Sequence, residues 1–130
     1  MGTRSLTYVY GGDRKSKPLV CMYRQFDGYP SGHGQELIDF LKPIKLVNGL
    51  GLEEKTKVAN GMGCLAAQLI AYFKHTVGGF YIHAVTDTDC CQEYEYHVFE
   101  DKVVVKNPGE VIFSGTWQDF KDFCCSKATI

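Results

Sequence analysis

The chain has 130 residues, 45% of them hydrophobic and 22% charged, with a formal net charge of −1. One core suffices at this length without disulfides or metal, since about two-thirds of the unfolded surface can be buried. The charge balance argues against a duplex nucleic-acid partner, whose basic residues should cluster in a stripe, and the longest apolar run, CLAAQLIAYF at 64–73, is too short to span a bilayer. We therefore expect a single domain, 1–130, that is soluble, cytoplasmic and without a membrane partner; the N-terminus lacks the apolar region of a signal peptide. The six cysteines, at 21, 64, 90, 91, 124 and 125, read as reduced thiols rather than a disulfide framework. No cofactor or metal is implied; zinc held by Cys90 or Cys91 with His83 or His97 would match no familiar ligand spacing.

In chain order, SLTYVY at 5–10 and PLVCMYRQF at 18–26 are β-branched and aromatic runs separated by a polar loop, which predicts a hairpin. The second run puts Val20, Met22, Arg24 and Phe26 on one face and Leu19, Cys21, Tyr23 and Gln25 on the other. Two apolar faces call for cover on both sides, by helices and by a second layer or a subunit partner, so self-association into a homo-oligomer is expected. Arg24 ends this buried strand, where its charge requires a carboxylate or a bound anion.

QELIDFL then gives Leu37, Ile38, Phe40 and Leu41 at helical spacing, stopped before Pro43. Residues 43–61 carry no clear period and could wrap over the preceding loop as a lid. GMGCLAAQLIAYF predicts a buried helix over about 62–75, followed by Gly78-Gly79. FYIHAV, EYEYHVFE, KVVVK and EVIFSG predict a four-strand antiparallel meander, with a turn at Asn107-Pro108-Gly109. Thr116 three residues before Asp119 marks the start of a terminal helix with Trp117, Phe120 and Phe123 toward the core. The class is α+β: an antiparallel sheet with an N-terminal hairpin, two central helices, the meander and a final helix.

The densest chemistry is RQFDGYPSGHG at 24–34. Ser31, Gly32, His33 and Gly34 precede a helix, whose free N–H groups and dipole favour an anion, and glycine lets backbone approach a phosphate or carboxylate closely. Arg24 supplies a guanidinium fork, while Phe26 and Tyr29 offer flat surfaces for a ring. Together with Thr3 and Arg4 on the neighbouring strand, Arg24 and residues Phe26, Asp27, Gly28, Tyr29, Ser31, Gly32, His33 and Gly34 outline a site for a small anionic, nucleotide-like ligand. A purely structural reading competes: Asp27-Gly28 as a turn, Ser31 as a helix cap, Asp27 paired with Arg24 and Tyr29-Pro30 as a plug.

The start MGTRSLT followed by QFDGYPSGHG and a short helix resembles an uncharacterised family of small phage, large-virus, bacterial and fungal proteins that begin MGTR and carry a DGYPSG loop. The resemblance covers roughly the first 42 residues. It implies no established activity and hence no catalytic roles; its viral flavour suggests sequestration of a host nucleotide signal. Members often have tryptophan and glutamine where this chain has Phe26 and His33, which argues against any mechanism in which His33 is indispensable.

Two other readings stand beside ligand binding. A hydrolase could use Cys64, placed where a glycine-rich turn becomes a helix, or an acid-base pair of Asp27 and His33. Alternatively the chain is a structural or protein-interaction module. DTDCCQEYEY gathers Asp87, Asp89, Glu93 and Glu95 in a pattern better suited to a solvated face than to a cation site.

Overall fold

The structure, a computed structural model, describes residues 2–12, 17–49, 57–86 and 90–128. Its strands are β1 (Ser5–Tyr10), β2 (Pro18–Arg24), β3 (Lys45–Val47), β4 (Val58–Asn60), β5 (Phe80–His83), β6 (Tyr94–Val98), β7 (Val103–Asn107) and β8 (Glu110–Gly115). The α-helices are α1 (Gln35–Leu41), α2 (Gly61–Phe73) and α3 (Trp117–Ala128), and one π-helical turn at Pro30–Gly34 runs directly into α1. The chain is thus α+β. Most of the expected loop-tip residues between β1 and β2, residues 50–56 of the 43–61 connection and the carboxylates Asp87 and Asp89 lie outside the described residues.

Six strands form one sheet in the order β5-β2-β1-β6-β7-β8, and β3 pairs with β4 in a small parallel ribbon. The N-terminal hairpin is present as expected, with Ser5 opposite Arg24 and Leu6 opposite Tyr23. The sheet is mixed rather than wholly antiparallel, because β1 runs parallel to β6 at its centre. The meander is correspondingly three strands long: β6, β7 and β8 follow one another, whereas β5 pairs with β2 at the far edge. Tight turns join only the three, and the longer 84–93 segment permits the crossover that a parallel arrangement requires.

The helices cover one face of the sheet. Val9, Met22, Tyr96, Val98, Val103 and Val105 from the strands meet Leu37, Leu41, Leu65, Leu69 and Phe120 in a single buried cluster. Alternation along the strands therefore assigns the other side chains to the opposite face, where Leu6, Tyr8, Tyr10 and Cys21 form a second, smaller cluster against Tyr23, Cys90 and Phe99. On this face of β2 Cys21 is buried, Tyr23 is half-buried and Leu19 is exposed, so the cover there is partial. Burial raises the Tyr10 hydroxyl to about 12, with the nearby Glu95 charge adding to it. Its O–H meets His97 Nδ1 at 2.7 Å, while His97 Nε2–H is directed at Glu95 Oε1, 3.0 Å away.

Helix ends follow their local chemistry. α1 stops at Leu41, two residues before Pro43, which has no N–H to continue the helix. α2 stops at Phe73 because Lys74 turns to extended backbone, and Gly78 and Gly79, both with positive φ, form the bend into β5. At α3 the Asp119 N–H donates to Thr116 Oγ1 at 3.1 Å, as the Thr-x-x-Asp spacing predicts. Thr116→Ala is expected to cost about 1 kcal/mol in chemical denaturation, and Thr116→Ser to recover most of it.

Candidate functional site

β2 delivers Arg24 to the helix-covered side of the sheet with only 8% of its surface exposed. A guanidinium so placed must trade its hydration for hydrogen bonds. Its Nε–H donates to the Phe26 carbonyl at 2.6 Å, Nη2 donates to Glu36 Oε2 at 3.0 Å, and Nη1 meets His33 Nδ1 at 3.2 Å. The Phe80 ring lies beneath the cation, 4.9 Å from centroid to Cζ. Glu36, in the first turn of α1, is therefore the charge partner that the sequence left open. The Asp27 carboxylate does not take that role; it accepts the Tyr29 hydroxyl at 3.1 Å on the exposed side of the loop.

His33 is wholly buried. Arginine can only donate, so His33 Nδ1 must be the acceptor, and the ring carries its proton on Nε2. That N–H points at Thr7 Oγ1 of β1, 2.7 Å away. The ring also stacks on Phe73 at 4.9 Å and meets the Tyr96 ring edge-on at 4.8 Å. Burial and the adjacent Arg24 charge lower its pKa to about 3, so the imidazole is neutral at any physiological pH. Asp27 and His33 contact each other through backbone, the His33 N–H donating to the Asp27 carbonyl at 2.8 Å, and their side chains have other partners.

The glycines of the loop serve close packing. The Gly28 N–H donates to the Thr3 carbonyl at 2.9 Å, and its own carbonyl accepts the buried Tyr96 hydroxyl at 2.7 Å. A Cβ there would lie 2.8 Å from the Thr3 carbonyl oxygen, one at Gly32 would lie 2.6 Å from the Asp27 carbonyl oxygen, and one at Gly34 would lie 2.8 Å from Cys124 Sγ on α3. Asp27 itself sits at φ 61°, a left-handed conformation that aspartate tolerates better than most residues. The Gly32 N–H donates to the Tyr29 carbonyl at 2.9 Å, so the amides at 28, 32 and 33 are all engaged inside the protein. Ser31 lies within the π-helical turn, and no side chain caps that turn or α1.

Of the expected site residues, Thr3 meets the loop through its carbonyl, which accepts the Gly28 N–H, whereas the Arg4 carbonyl accepts the Glu93 and Tyr94 amides at the start of β6. Phe26 and Tyr29 remain exposed. Cys64 lies a full turn into α2, its thiol directed at Gln68 Oε1 at 3.6 Å. Among the described residues no group of three or more His, Cys, Asp or Glu side chains is arranged to hold a metal ion.

Sequence reasoning missed a cleft of about 330 Å³ beside Arg24. Glu36, Tyr72, Phe73 and Phe80 line it with Arg24, and the exposed His75 and Thr76, just beyond the end of α2, complete it. No local signal selects Glu36 over Asp27 as the partner of Arg24, and nothing local signals that the end of α2 returns to Arg24. Compared with protein-family models, curated proteins and solved structures, the chain matches none.

Two outcomes follow from this packing. The unfolded chain protonates His33 near pH 6.5 and the folded chain only near 3, so stability is full above 6.5 and falls as pH drops toward 3. A glutamine can present the same acceptor to Arg24 and the same donor to Thr7 without titrating. Denaturant unfolding between pH 6 and 4.5 should show the wild type losing about 1.4 kcal/mol per pH unit more than His33→Gln. Gly32→Ala should destabilise by about 1–3 kcal/mol in the same assay, because the obstructing atom is backbone and cannot swing away.

Proposed function

We propose that the protein binds a small anionic ligand carrying a flat ring, of nucleotide-like chemistry, in the cleft walled by Arg24, Tyr72 and Phe80. The supporting observation is the state of Arg24. Its contacts among the described residues engage three of its five N–H groups, which leaves two for a ligand. The guanidinium is already desolvated and held in place, so binding costs it little further ordering. The cleft volume falls within the range of small-molecule sites, and aromatic side chains supply stacking surfaces.

This reading moves the ligand away from the mouth of the 27–34 loop, whose amides at 28, 32 and 33 are occupied, to the side of Arg24 facing α2. Glu36 partly neutralises the cation, which favours a ligand that also offers a hydrogen-bond donor, such as a ribose hydroxyl or an exocyclic amine, over a bare phosphate. The glutamine found in place of His33 in the family that the N-terminus resembles supports binding over acid-base chemistry, because glutamine preserves the hydrogen-bond pattern and has no pKa to use. If the viral flavour of that resemblance holds, sequestration of a nucleotide signal is the biological form such binding would take.

A thermal-shift screen against nucleoside monophosphates, diphosphates and cyclic nucleotides tests the proposal. A ligand at a hundredfold excess over its Kd stabilises by about 2.7 kcal/mol, enough to raise Tm by several degrees. The shift is expected to shrink in Tyr72→Ala and Thr76→Glu, two exposed positions whose replacement leaves the Arg24 network intact. No shift across the panel, or a shift indifferent to both substitutions, would contradict the assignment.

A further inference from the structure

The face of the sheet turned away from the helices carries a second grouping, unconnected with the Arg24 cleft. Strand register sets His83, Cys21, Tyr8 and His97 side by side across β5, β2, β1 and β6. Cys90, on the segment that leads from β5 back to β6, packs onto this face, and its Sγ lies 3.3 Å from His83 Nδ1. The Tyr23 ring rests against the His83 ring at 5.1 Å. Cys90 is partly exposed, whereas Cys21 and Cys124 are buried and burial pushes the Cys124 thiol up to about 12.

We propose that Cys90 and His83 form a thiol–imidazole dyad that makes Cys90 a nucleophile toward low-molecular-weight disulfides, retained as a reversible mixed disulfide. The Cys90 proton passes to His83 Nδ1, and the thiolate attacks one sulfur of the disulfide R–S–S–R. A bond forms between Cys90 Sγ and that sulfur, the S–S bond of the small disulfide breaks, and the leaving thiolate R–S⁻ takes the proton from His83. One thiol is consumed and one released, so the small disulfide is the only oxidant required.

Disulfides fit this site better than acyl substrates for a geometric reason. Acyl transfer requires N–H donors beside the nucleophile to stabilise an oxyanion, and the Cys90 amide already donates to Gln92 Oε1 at 2.7 Å. Exchange between sulfurs develops its charge on sulfur and needs no such donor. Among the described residues, the titratable groups facing the dyad are Cys21 and Tyr23 on β2, Tyr8 on β1, and Glu95 and His97 on β6. Hydrogen bonds from His97, and then Gln92, hold the Glu95 carboxyl below the usual carboxylate range, so that charge is present throughout the pH range of the reaction.

The test treats the full chain with glutathione disulfide from pH 5 to 9 and reads each cysteine by peptide mass spectrometry, fragmentation separating Cys90 from Cys91. Cys90 is expected to acquire the adduct ahead of the exposed Cys91 and Cys125, with a rate–pH midpoint below the ordinary thiol value of about 8.5. His83→Asn should slow Cys90 roughly tenfold and raise that midpoint while leaving Cys125 unchanged. Earlier labelling of Cys91 or Cys125 in the wild type, or an ordinary midpoint at Cys90, would overturn the proposal whatever the variant does; an unchanged Cys90 rate in folded His83→Asn would overturn the role of the histidine.

Discussion

A guanidinium at 8% exposure is a demanding object to bury, and most of what is distinctive in this protein follows from satisfying it. Arg24 needs acceptors, and among the described residues it obtains three of them from different parts of the chain: the Phe26 carbonyl, the Glu36 carboxylate and the His33 ring. Because arginine cannot accept, His33 is forced into one tautomer and kept neutral. Because that tautomer donates from Nε2, Thr7 on the central strand must face it. A single cation thus ties β1, β2, the 27–34 loop and α1 together.

The loop between β2 and α1 is shaped by the same requirement. Carrying His33 back beneath Arg24 forces the backbone against β1 and α3, where Gly28, Gly32 and Gly34 leave room for carbonyls and a thiol rather than for side chains. The Tyr96 hydroxyl, brought in by the parallel pairing of β1 with β6, closes the arrangement on the Gly28 carbonyl. One edge of Arg24 is left toward α2, and there the end of that helix and Phe80 enclose the cleft. The remote face of the sheet is governed by a different rule, strand alternation, which collects tyrosines, histidines and cysteines that the Arg24 network does not use.

Elements whose signals are local were legible in the sequence. The hairpin, α1 ending before Pro43, the buried period of α2 and the Thr116-capped α3 each rest on a few neighbouring residues, and all are present. What was illegible depends on distant pairing. Nothing in FYIHAV distinguishes an edge strand beside β2 from the first strand of a meander, and the parallel β1–β6 match is fixed only by the packed whole. KLV and VAN are too short to carry a period of their own. In the candidate site, the need of Arg24 for a partner was readable, but the partner was not: Asp27 is nearer in sequence, yet its left-handed backbone turns the carboxylate outward to Tyr29. Likewise, the glycines suggested an anion nest, and only the placement of the Thr3, Asp27 and Tyr29 carbonyls reveals how those amides are spent.

The central claim is that Arg24 fixes His33 as a neutral acceptor, and the protonation state of that ring tests it most directly. Nitrogen-15 NMR of the histidine side chains should show one ring with an unprotonated Nδ1 and a protonated Nε2 that does not titrate from pH 8 to 5, assigned to His33 by its loss in His33→Gln. A His33 ring protonated on Nδ1, or one that becomes an imidazolium by pH 6, would contradict it.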